Sequence, residues 1–391
     1  MDVPSPTGSE ANVAEVYLEE MQALGLRASL QEVEPGRPNA VGRWPGHGTG
    51  RPVLLDGHLD TSFGGTEPEL VGPGYETHLR EEGALYVGMG TFNMKGALAA
   101  YLGAVKALLD AGVELPGDVT VAGVVGEIEK APVDRYQGPS FQGYGRGTQY
   151  LIGHGLRAEW AVLGEPTGLE VVRAHFGTYW VRLRVAGEVI HTAWSGGKVN
   201  AIESMARVLS DLDEWRRAFA TRASYEGLAP ILNVAAIEGG WPWRAARTPS
   251  DCRLYVDVRT PPGMEAVDLD RELAALFPRT PKAGAVPVTY ELYVTEPGTE
   301  LAVTHPLVRS LVAAHTATTG SPPAVGVVRW YSDAALLNRA GVATVNYGPS
   351  GRLPGGEVGF SVPKGEFLSK VDLEQCTRVY VDWLVRATAG A

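Results

Sequence analysis

The sequence predicts an α/β protein with a doubly wound domain, into which a smaller α+β domain is inserted. Three apolar, strand-like runs each end near a side chain that can transfer a proton or bind a metal ion. These pairs are Pro52–Leu55 with His58, Val119–Val125 with Glu127, and Trp160–Leu163 with Glu165. Because catalytic groups lie at strand ends in an open α/β sheet, this recurrence predicts one site along one sheet edge. The residue pattern changes near Arg173, which predicts a second domain.

The amino-terminal elements follow from spacing and stop signals. Ser9 can cap a helix that runs to Leu24, because apolar residues recur there at roughly helical spacing and Gly25 ends the pattern. A strand is predicted near Ala28–Val33, and a hairpin-like stretch has Glu81-Glu82-Gly83 at its tip.

A glycine-rich stretch, Gly88–Gly96, precedes a helix predicted at Ala97–Ala111 from its alanine and leucine content. Asn93 therefore lies beside a helix amino terminus, which favours polar or anionic groups. Glycines in such a loop allow the backbone to come close to a neighbour.

The central part of the chain alternates apolar and polar residues as half-buried strands do, and helical segments separate those strands. Its predicted elements are strands at Val181–Val185, Ile231–Ile237 and Arg253–Val258 and helices at Val199–Trp215 and Asp268–Phe277. This order is a split β-α-β plan. Helices near 307–316, 333–340 and 372–386 and a strand at 343–347 complete the outer part. We predict one discontinuous domain, 1–174 with 288–391, around an insert at 175–287.

Composition narrows the functional class. The chain has 391 residues, 45% of them hydrophobic, a formal net charge of -11 and a pI near 5.3. An acidic protein is a poor partner for nucleic acid or an anionic membrane, and no basic leader or long apolar segment is visible. We predict a cytoplasmic protein. Cys252 and Cys376 are too few for a disulfide framework, are not spaced as a metal motif, and are interpreted as core or interface residues.

His58 and Asp60 stand two residues apart at the end of the Pro52–Leu55 strand. Residues two apart on a strand share a face, so both side chains are expected to point into one pocket. Asp60 can then orient the imidazole and select its tautomer.

These motifs, taken together and in order, resemble those of the dinuclear zinc amidohydrolases, which include acetylornithine deacetylase, succinyl-diaminopimelate desuccinylase, aminoacylase and the glutamate-releasing carboxypeptidases. The stretches that carry the resemblance are Ser5-Pro6-Thr7-Gly8-Ser9-Glu10, Gly57-His58-Leu59-Asp60, Asn93-Met94-Lys95-Gly96, Gly164-Glu165-Pro166-Thr167, Gly187–His191, Asn200-Ala201-Ile202, Gly239-Gly240, Asp257-Val258-Arg259, Pro262-Gly263, Ser332-Asp333-Ala334 and Gly348-Pro349. The resemblance implies a catalytic outer domain and an insert that mediates dimerisation.

The resemblance also implies roles for individual residues. His58 corresponds to the histidine of the first metal, Asp60 to the aspartate that orients it, Glu165 to a carboxylate of the first metal, and Glu127 to the general base.

Three further residues correspond to groups that handle the substrate. His191 resembles the histidine that the insert contributes across the dimer to hold a developing oxyanion. Asn200 and Arg259 resemble residues that hold the substrate carboxylate.

The resemblance fails at the second metal. Asn93 stands where the family has the bridging aspartate, Ile128 where it has the glutamate of the second metal, and Val358–Val362 contains no histidine where the last ligand is expected. Two adjacent zinc ions need anionic ligands, which an amide does not supply. A bulge that turned Glu129 inward is one route to a replacement ligand.

We therefore expect none or one zinc ion, held by His58 and Glu165 with Asn93 as a weak neighbour, and no dinuclear site. Asn93 is also expected to bind substrate. The preferred function is hydrolysis of an amide bond in an N-acyl amino acid or dipeptide-like carboxylate by a homodimer. One alternative is a metal-independent cyclase, amide-forming transferase, lyase or epimerase that uses Glu127 and His58 as its acid and base. A non-catalytic ligand-binding homologue is the other alternative.

Overall fold

The computed structural model describes residues 2–68, 70–133, 142–278, 280, 286–351 and 365–389. The described helices are α1 (Ala11–Ala23), α2 (Lys95–Asp110), α3 (Arg146–Gly153), α4 (Ala201–Arg222), α5 (Ala266–Leu276), α6 (Pro306–Thr319), α7 (Ala334–Arg339) and α8 (Lys370–Thr388). The described strands are β1 (Arg27–Glu34), β2 (Arg37–Trp44), β3 (Val53–His58), β4 (Arg80–Glu82), β5 (Leu85–Val87), β6 (Val119–Val124), β7 (Trp160–Leu163), β8 (Val171–His175), β9 (Gly177–Ala186), β10 (Ile231–Gly239), β11 (Asp251–Thr260), β12 (Thr289–Glu296), β13 (Thr299–Glu300), β14 (Val325–Val328), β15 (Ala343–Asn346) and β16 (Phe367–Ser369).

The chain divides into two compact units. The first comprises Met1–Arg173, Leu301–Gly326 and Ser332–Ala391, and the second comprises Ala174–Glu300 and Val327–Tyr331. Strand β12 therefore belongs to the second unit, whereas the predicted boundary at 288 assigned it to the outer domain. The catalytic and dimerisation roles given to the two domains stay predictions.

The large sheet is mixed, with parallel strands at its centre. Its order is β1-β2-β6-β3-β7-β15-β8-β13, with β14 also paired to β8. The neighbours β6, β3, β7 and β15 run parallel, and the strands on either side are antiparallel to them. The carboxyl ends of the four central strands therefore meet at one edge, as the sequence predicted.

Helices cover both faces of this sheet, which confirms the predicted doubly wound α/β class. On β3, Val53 and Leu55 pack in a core with α1, α2, α6 and α8, whereas Leu54 packs on the other face with α3 and α7. All six residues of β3 are buried. A strand that is buried on both faces reads as a continuous apolar run, which explains why β3, β6 and β7 were visible in the sequence.

The second unit contains a four-stranded antiparallel sheet in the order β10-β11-β9-β12, with α4 and α5 as its helices. The chain order β9-α4-β10-β11-α5-β12 agrees with the predicted split β-α-β plan. Residues of α4 and α5 share one apolar core with β9 and β11.

Within the described ranges, none of the helices combines the length and the apolar character needed to cross a membrane.

Candidate functional site

The ends of three adjacent strands bring His58, Glu127 and Glu165 together. Nε2 of His58 lies 3.7 Å from Oε2 of Glu127 and 4.0 Å from Oε1 of Glu165. One possible ligand atom from each residue lies within 4.8 Å of the other two, and all three residues are buried. We call these three residues the strand-end cluster. Three residues predicted to share a site from their positions after β3, β6 and β7 thus lie in direct reach of one another.

Two glycines allow α2 to approach these strand ends closely. A Cβ atom at Gly57 would lie 2.5 Å from Cε of Met94, and one at Gly164 would lie 2.5 Å from Cβ of Ala97. The close approach brings the loop before α2 over the cluster, where Oδ1 of Asn93 lies 2.9 Å from Nε2 of His58. Asn93 is therefore a neighbour of the cluster, as predicted from its place beside a helix amino terminus.

Asp60 contacts His58 through both its main chain and its side chain. Nδ1 of His58 lies 2.8 Å from the main-chain oxygen of Asp60 and 3.5 Å from Oδ1 of the same residue. The carboxylate also accepts the N–H groups of Glu127 and Ile128, each at 3.1 Å, and the hydroxyl of Thr7 at 2.8 Å. Asp60 therefore contacts the imidazole of His58 and the main chain of Glu127 at once, and its role in orienting the imidazole stays a prediction.

Glu366 is a site residue that the sequence analysis did not identify. Its Oε2 accepts the N–H groups of Gly90 (2.8 Å), Phe92 (3.1 Å) and Asn93 (3.0 Å). The carboxylate therefore holds the loop that presents Asn93 to His58. Glu366 is more than 270 residues away from that loop in the chain, so no local sequence pattern could reveal the contact.

Burial disfavours the charged forms of the carboxyl groups in the strand-end cluster. It raises the pKa of Glu127 well above its ordinary value and the pKa of Glu165 to about 7. Burial alone would lower the pKa of His58, but Asp60, Glu127 and Glu165 together raise it well above its ordinary value. The carboxylates therefore need added positive charge, which protons or a metal cation can supply.

The chemistry of the cluster fits one divalent cation. Oε1 of Glu165 is buried and has no hydrogen-bond partner among the described residues. An imidazole nitrogen with carboxylate oxygens is a donor set that suits zinc. At the two positions where the resemblance implied carboxylates for a second metal, Asn93 offers a neutral amide and Ile128 offers no ligand atom. The segment 358–362, which lacks the expected histidine, lies outside the described residues.

A second group of carboxyls lies on the same face of β3, two residues before His58. Thr148 Oγ1 donates to Oδ2 of Asp333 at 2.5 Å and lies 3.4 Å from Oδ2 of Asp56. Burial raises the pKa of Asp56 to about 7 and that of Asp333 well above its ordinary value. Asp333 belonged to a motif in the sequence, whereas neither Thr148 nor Asp56 carried a signal of its own.

The remaining predicted residues belong to the second unit. Nδ1 of His191 accepts the N–H of Ala193, and Oδ1 of Asn200 caps α4 by accepting the N–H of Ile202. Arg259 lies on β11 and donates from Nε to Asp257. The substrate-handling roles of His191, Asn200 and Arg259 stay predictions.

Known proteins are similar to this chain over most of its length. The model of Peptidase family M20/M25/M40 matches residues 54–386. The chain is 26% identical to N-formyl-4-amino-5-aminomethyl-2-methylpyrimidine deformylase of Bacillus subtilis (strain 168), over 94% of this chain and 87% of that protein. It is 32% identical to acetylornithine deacetylase of Salmonella heidelberg (strain SL476), over 73% of this chain and 70% of that protein.

Solved structures share the fold. The M20 family metallo-carboxypeptidase Sso-CP2 from Sulfolobus solfataricus has a TM-score of 0.74 at 16% identity, covering 99% of this chain and 97% of that one. Aminopeptidase PepT from Bacillus cereus ATCC 10987 has a TM-score of 0.71 at 15% identity, covering 99% of this chain and 95% of that one. At these identities the likeness concerns the fold alone, and it confirms the predicted fold class.

Proposed function

The chain belongs to peptidase family M20/M25/M40, and from that premise we propose that it hydrolyses an amide-type bond of a small N-acyl amino acid or dipeptide-like carboxylate with the aid of one zinc ion. The observation that carries the proposal is the buried strand-end cluster of His58, Glu127 and Glu165. The similar curated proteins are named as a deformylase and a deacetylase, so the acyl group we propose is formyl or acetyl.

His58 and Glu165 would hold the zinc ion, beside the amide oxygen of Asn93. Bound there, zinc would act as a Lewis acid toward the amide carbonyl. We propose a single ion because the positions of the second ion's carboxylate ligands are occupied by Asn93 and Ile128, and because 358–362 contains no histidine.

Glu127 is the proposed proton carrier. Its carboxylate lies 3.7 Å from Nε2 of His58, and its main chain is fixed by Asp60. It would take a proton from the attacking water and give one to the leaving amine, the usual work of a general base that becomes a general acid. In the same proposal His191 holds the oxyanion, and Asn200 and Arg259 hold the substrate carboxylate.

Activity and metal content together test this proposal. Untreated protein is assayed by elemental analysis and against N-formyl and N-acetyl amino acids and dipeptides, before and after chelation. We expect about one zinc per chain, loss of hydrolysis on chelation and recovery on adding zinc. Glu127→Gln should lower kcat by about 10²–10⁴, while Glu170→Gln, an exposed carboxylate on the first unit, should leave it unchanged. Hydrolysis that survives complete chelation would exclude the zinc-dependent function.

A second candidate is the metal-independent acid–base enzyme. It is favoured by the surroundings of His58, because Nδ1 lies 2.8 Å from a main-chain oxygen and Nε2 lies 2.9 Å from Oδ1 of Asn93. A carbonyl oxygen only accepts hydrogen bonds, so this arrangement suits a ring that carries both protons. This candidate predicts that a metal-free preparation turns over a substrate, that Glu127→Gln abolishes the turnover, and that added zinc inhibits.

The proposal includes a homodimer formed through the second unit. β10 is an edge strand of its sheet, and its Ile231, Val234 and Ile237 are exposed by 41%, 41% and 54%. An edge strand with apolar exposed residues is a surface for pairing with another chain. Ile237→Glu should therefore convert a dimer to a monomer in light scattering, while Val71→Glu, at an exposed valine of the first unit, should not. A wild-type monomer would rule the dimer out.

A further inference from the structure

The segment Val3–Thr7 lies against Leu59–Thr61, the turn that follows His58. The hydroxyl of Ser5 donates to the main-chain oxygen of Leu59 at 2.8 Å, and the main-chain oxygen of Ser5 accepts the N–H of Thr61 at 2.8 Å. Nζ of Lys95 donates to the main-chain oxygen of Val3 at 2.9 Å. The segment is therefore bound on both sides.

Thr7 is the residue of this segment that reaches the site. Its hydroxyl donates to Oδ2 of Asp60 at 2.8 Å, and Thr7 and Asp60 are 1% and 0% exposed. Oδ2 also accepts the N–H of Ile128, and Oδ1 accepts that of Glu127. The main-chain oxygen of Asp60 meanwhile contacts Nδ1 of His58.

The carboxylate of Asp60 depends on such donors for its orientation. The last torsion of an aspartate is broad, so the plane of the carboxylate is set by its hydrogen bonds. Thr7 approaches this carboxylate from a different segment than the two main-chain donors and binds Oδ2, whereas Nδ1 of His58 lies 3.5 Å from Oδ1. Without Thr7, the plane can turn and carry the turn at Glu127 and Ile128 with it.

We propose that Thr7 is a positioning residue for the site, acting through Asp60 on Glu127 and His58. The expected effect on kcat rests on the proposed function. The contact between Thr7 and Asp60, and its effect on the main chain at Glu127, are independent of that function. Groups that hold ligand residues typically change metal affinity or activity by 10–100-fold when removed, and we expect about that loss in Thr7→Val.

The test compares three variants of the full-length protein. Thr7→Val removes the hydroxyl at nearly constant volume, Thr7→Ser retains it, and Ser5→Ala removes an equally buried hydroxyl of the same segment that contacts Leu59 instead of Asp60. The measurements are kcat and KM, the zinc dissociation constant in a chelator competition, the melting temperature, and hydrogen exchange of the peptide that contains Glu127 and Ile128.

We expect Thr7→Val to lower kcat by about 10–100-fold with little change in KM, to weaken zinc binding by a similar factor, and to speed exchange at Glu127 and Ile128. Thr7→Ser should keep kcat, zinc affinity and exchange near their wild-type values. Ser5→Ala should lower the melting temperature without changing these three quantities. Unchanged exchange in Thr7→Val, or parallel losses of kcat and stability in Thr7→Val and Ser5→Ala, would overturn the inference. Absence of hydrolysis in the wild type would instead count against the proposed function, since the exchange measurement still tests Thr7.

Discussion

Replacing Asn93 with aspartate tests whether missing negative charge limits metal binding. Oδ1 of Asn93 lies 2.9 Å from Nε2 of His58, so the new carboxylate would enter the strand-end cluster without a change in volume. At an effective dielectric of about 20, a carboxylate attracts a divalent cation about 3 Å away by about 11 kcal/mol. The burial of the carboxylate and its repulsion by the other buried carboxylates offset most of this. A net gain of about 2.7 kcal/mol corresponds to a zinc dissociation constant about 100-fold lower.

Without metal the same carboxylate faces Glu127 and Glu165 and should destabilise the protein. Thermal unfolding at a buffered zinc concentration should therefore show a lower melting temperature for metal-free Asn93→Asp. The rise on adding zinc should exceed that of the wild type by about 5–11 °C, from about 2–4 °C per kcal/mol. Asn338→Asp, on α7, adds a half-buried charge as a control and should respond to zinc as the wild type does. An equal zinc response in Asn93→Asp and wild type, or two zinc ions per wild-type chain, would refute the reasoning.

Three further changes probe the scaffold. Gly348→Ala should weaken zinc binding and lower the melting temperature, because its Cβ would lie 2.4 Å from the main-chain oxygen of Glu165; zinc titration and calorimetry check this, and unchanged values contradict it. Arg37→Met should lower the free energy of unfolding by about 3–5 kcal/mol in urea, since it leaves the buried carboxylate of Glu10 without its cation, and a loss below about 1 kcal/mol contradicts this. Burial lowers the pKa of His315. The neutral ring therefore contributes fully to the free energy of unfolding above the unfolded imidazole pKa, and this contribution is lost as the pH falls from there through the lower folded pKa. His315→Gln should thus lose less stability than the wild type between about pH 7.5 and 5, and identical pH profiles contradict it.

The residues of the strand-end cluster could be predicted because their signal is local. A buried parallel strand is a continuous apolar run, and the polar residue after it marks the sheet edge. His58, Glu127 and Glu165 each follow such a run, and the structure brings them together. The same reasoning placed Asn93 beside a helix amino terminus, where it lies.

The residues that hold the cluster could not be predicted, because their partners are distant in the chain. Thr7 is separated from Asp60 by 53 positions, and Glu366 from Asn93 by 273. Periodicity describes only how a segment faces its own neighbours. The bonds from the N–H groups of Glu127 and Ile128 to the carboxylate of Asp60 were not predicted for the same reason, since these groups come from another strand end.

Two of the missed elements were short or weakly patterned. The helix α3 has eight residues and follows a segment rich in glycine, so too few apolar positions repeat to mark it. The strand β12 has a half-exposed pattern and, among the described strands, pairs with β9 alone, which made it resemble a connection rather than part of the insert.

The contact between Glu366 and the Gly90–Asn93 loop spans up to 276 residues of chain and has a consequence for synthesis. At about 5–20 residues per second, a ribosome needs about 14–55 s to pass from that loop to the glutamate that holds it. For most of that interval His58, Glu127 and Glu165 have already been made, while Asn93 lacks its anchor. The nascent chain therefore acquires a finished pocket only after Glu366 has been made, and a product truncated before Glu366 would lack one.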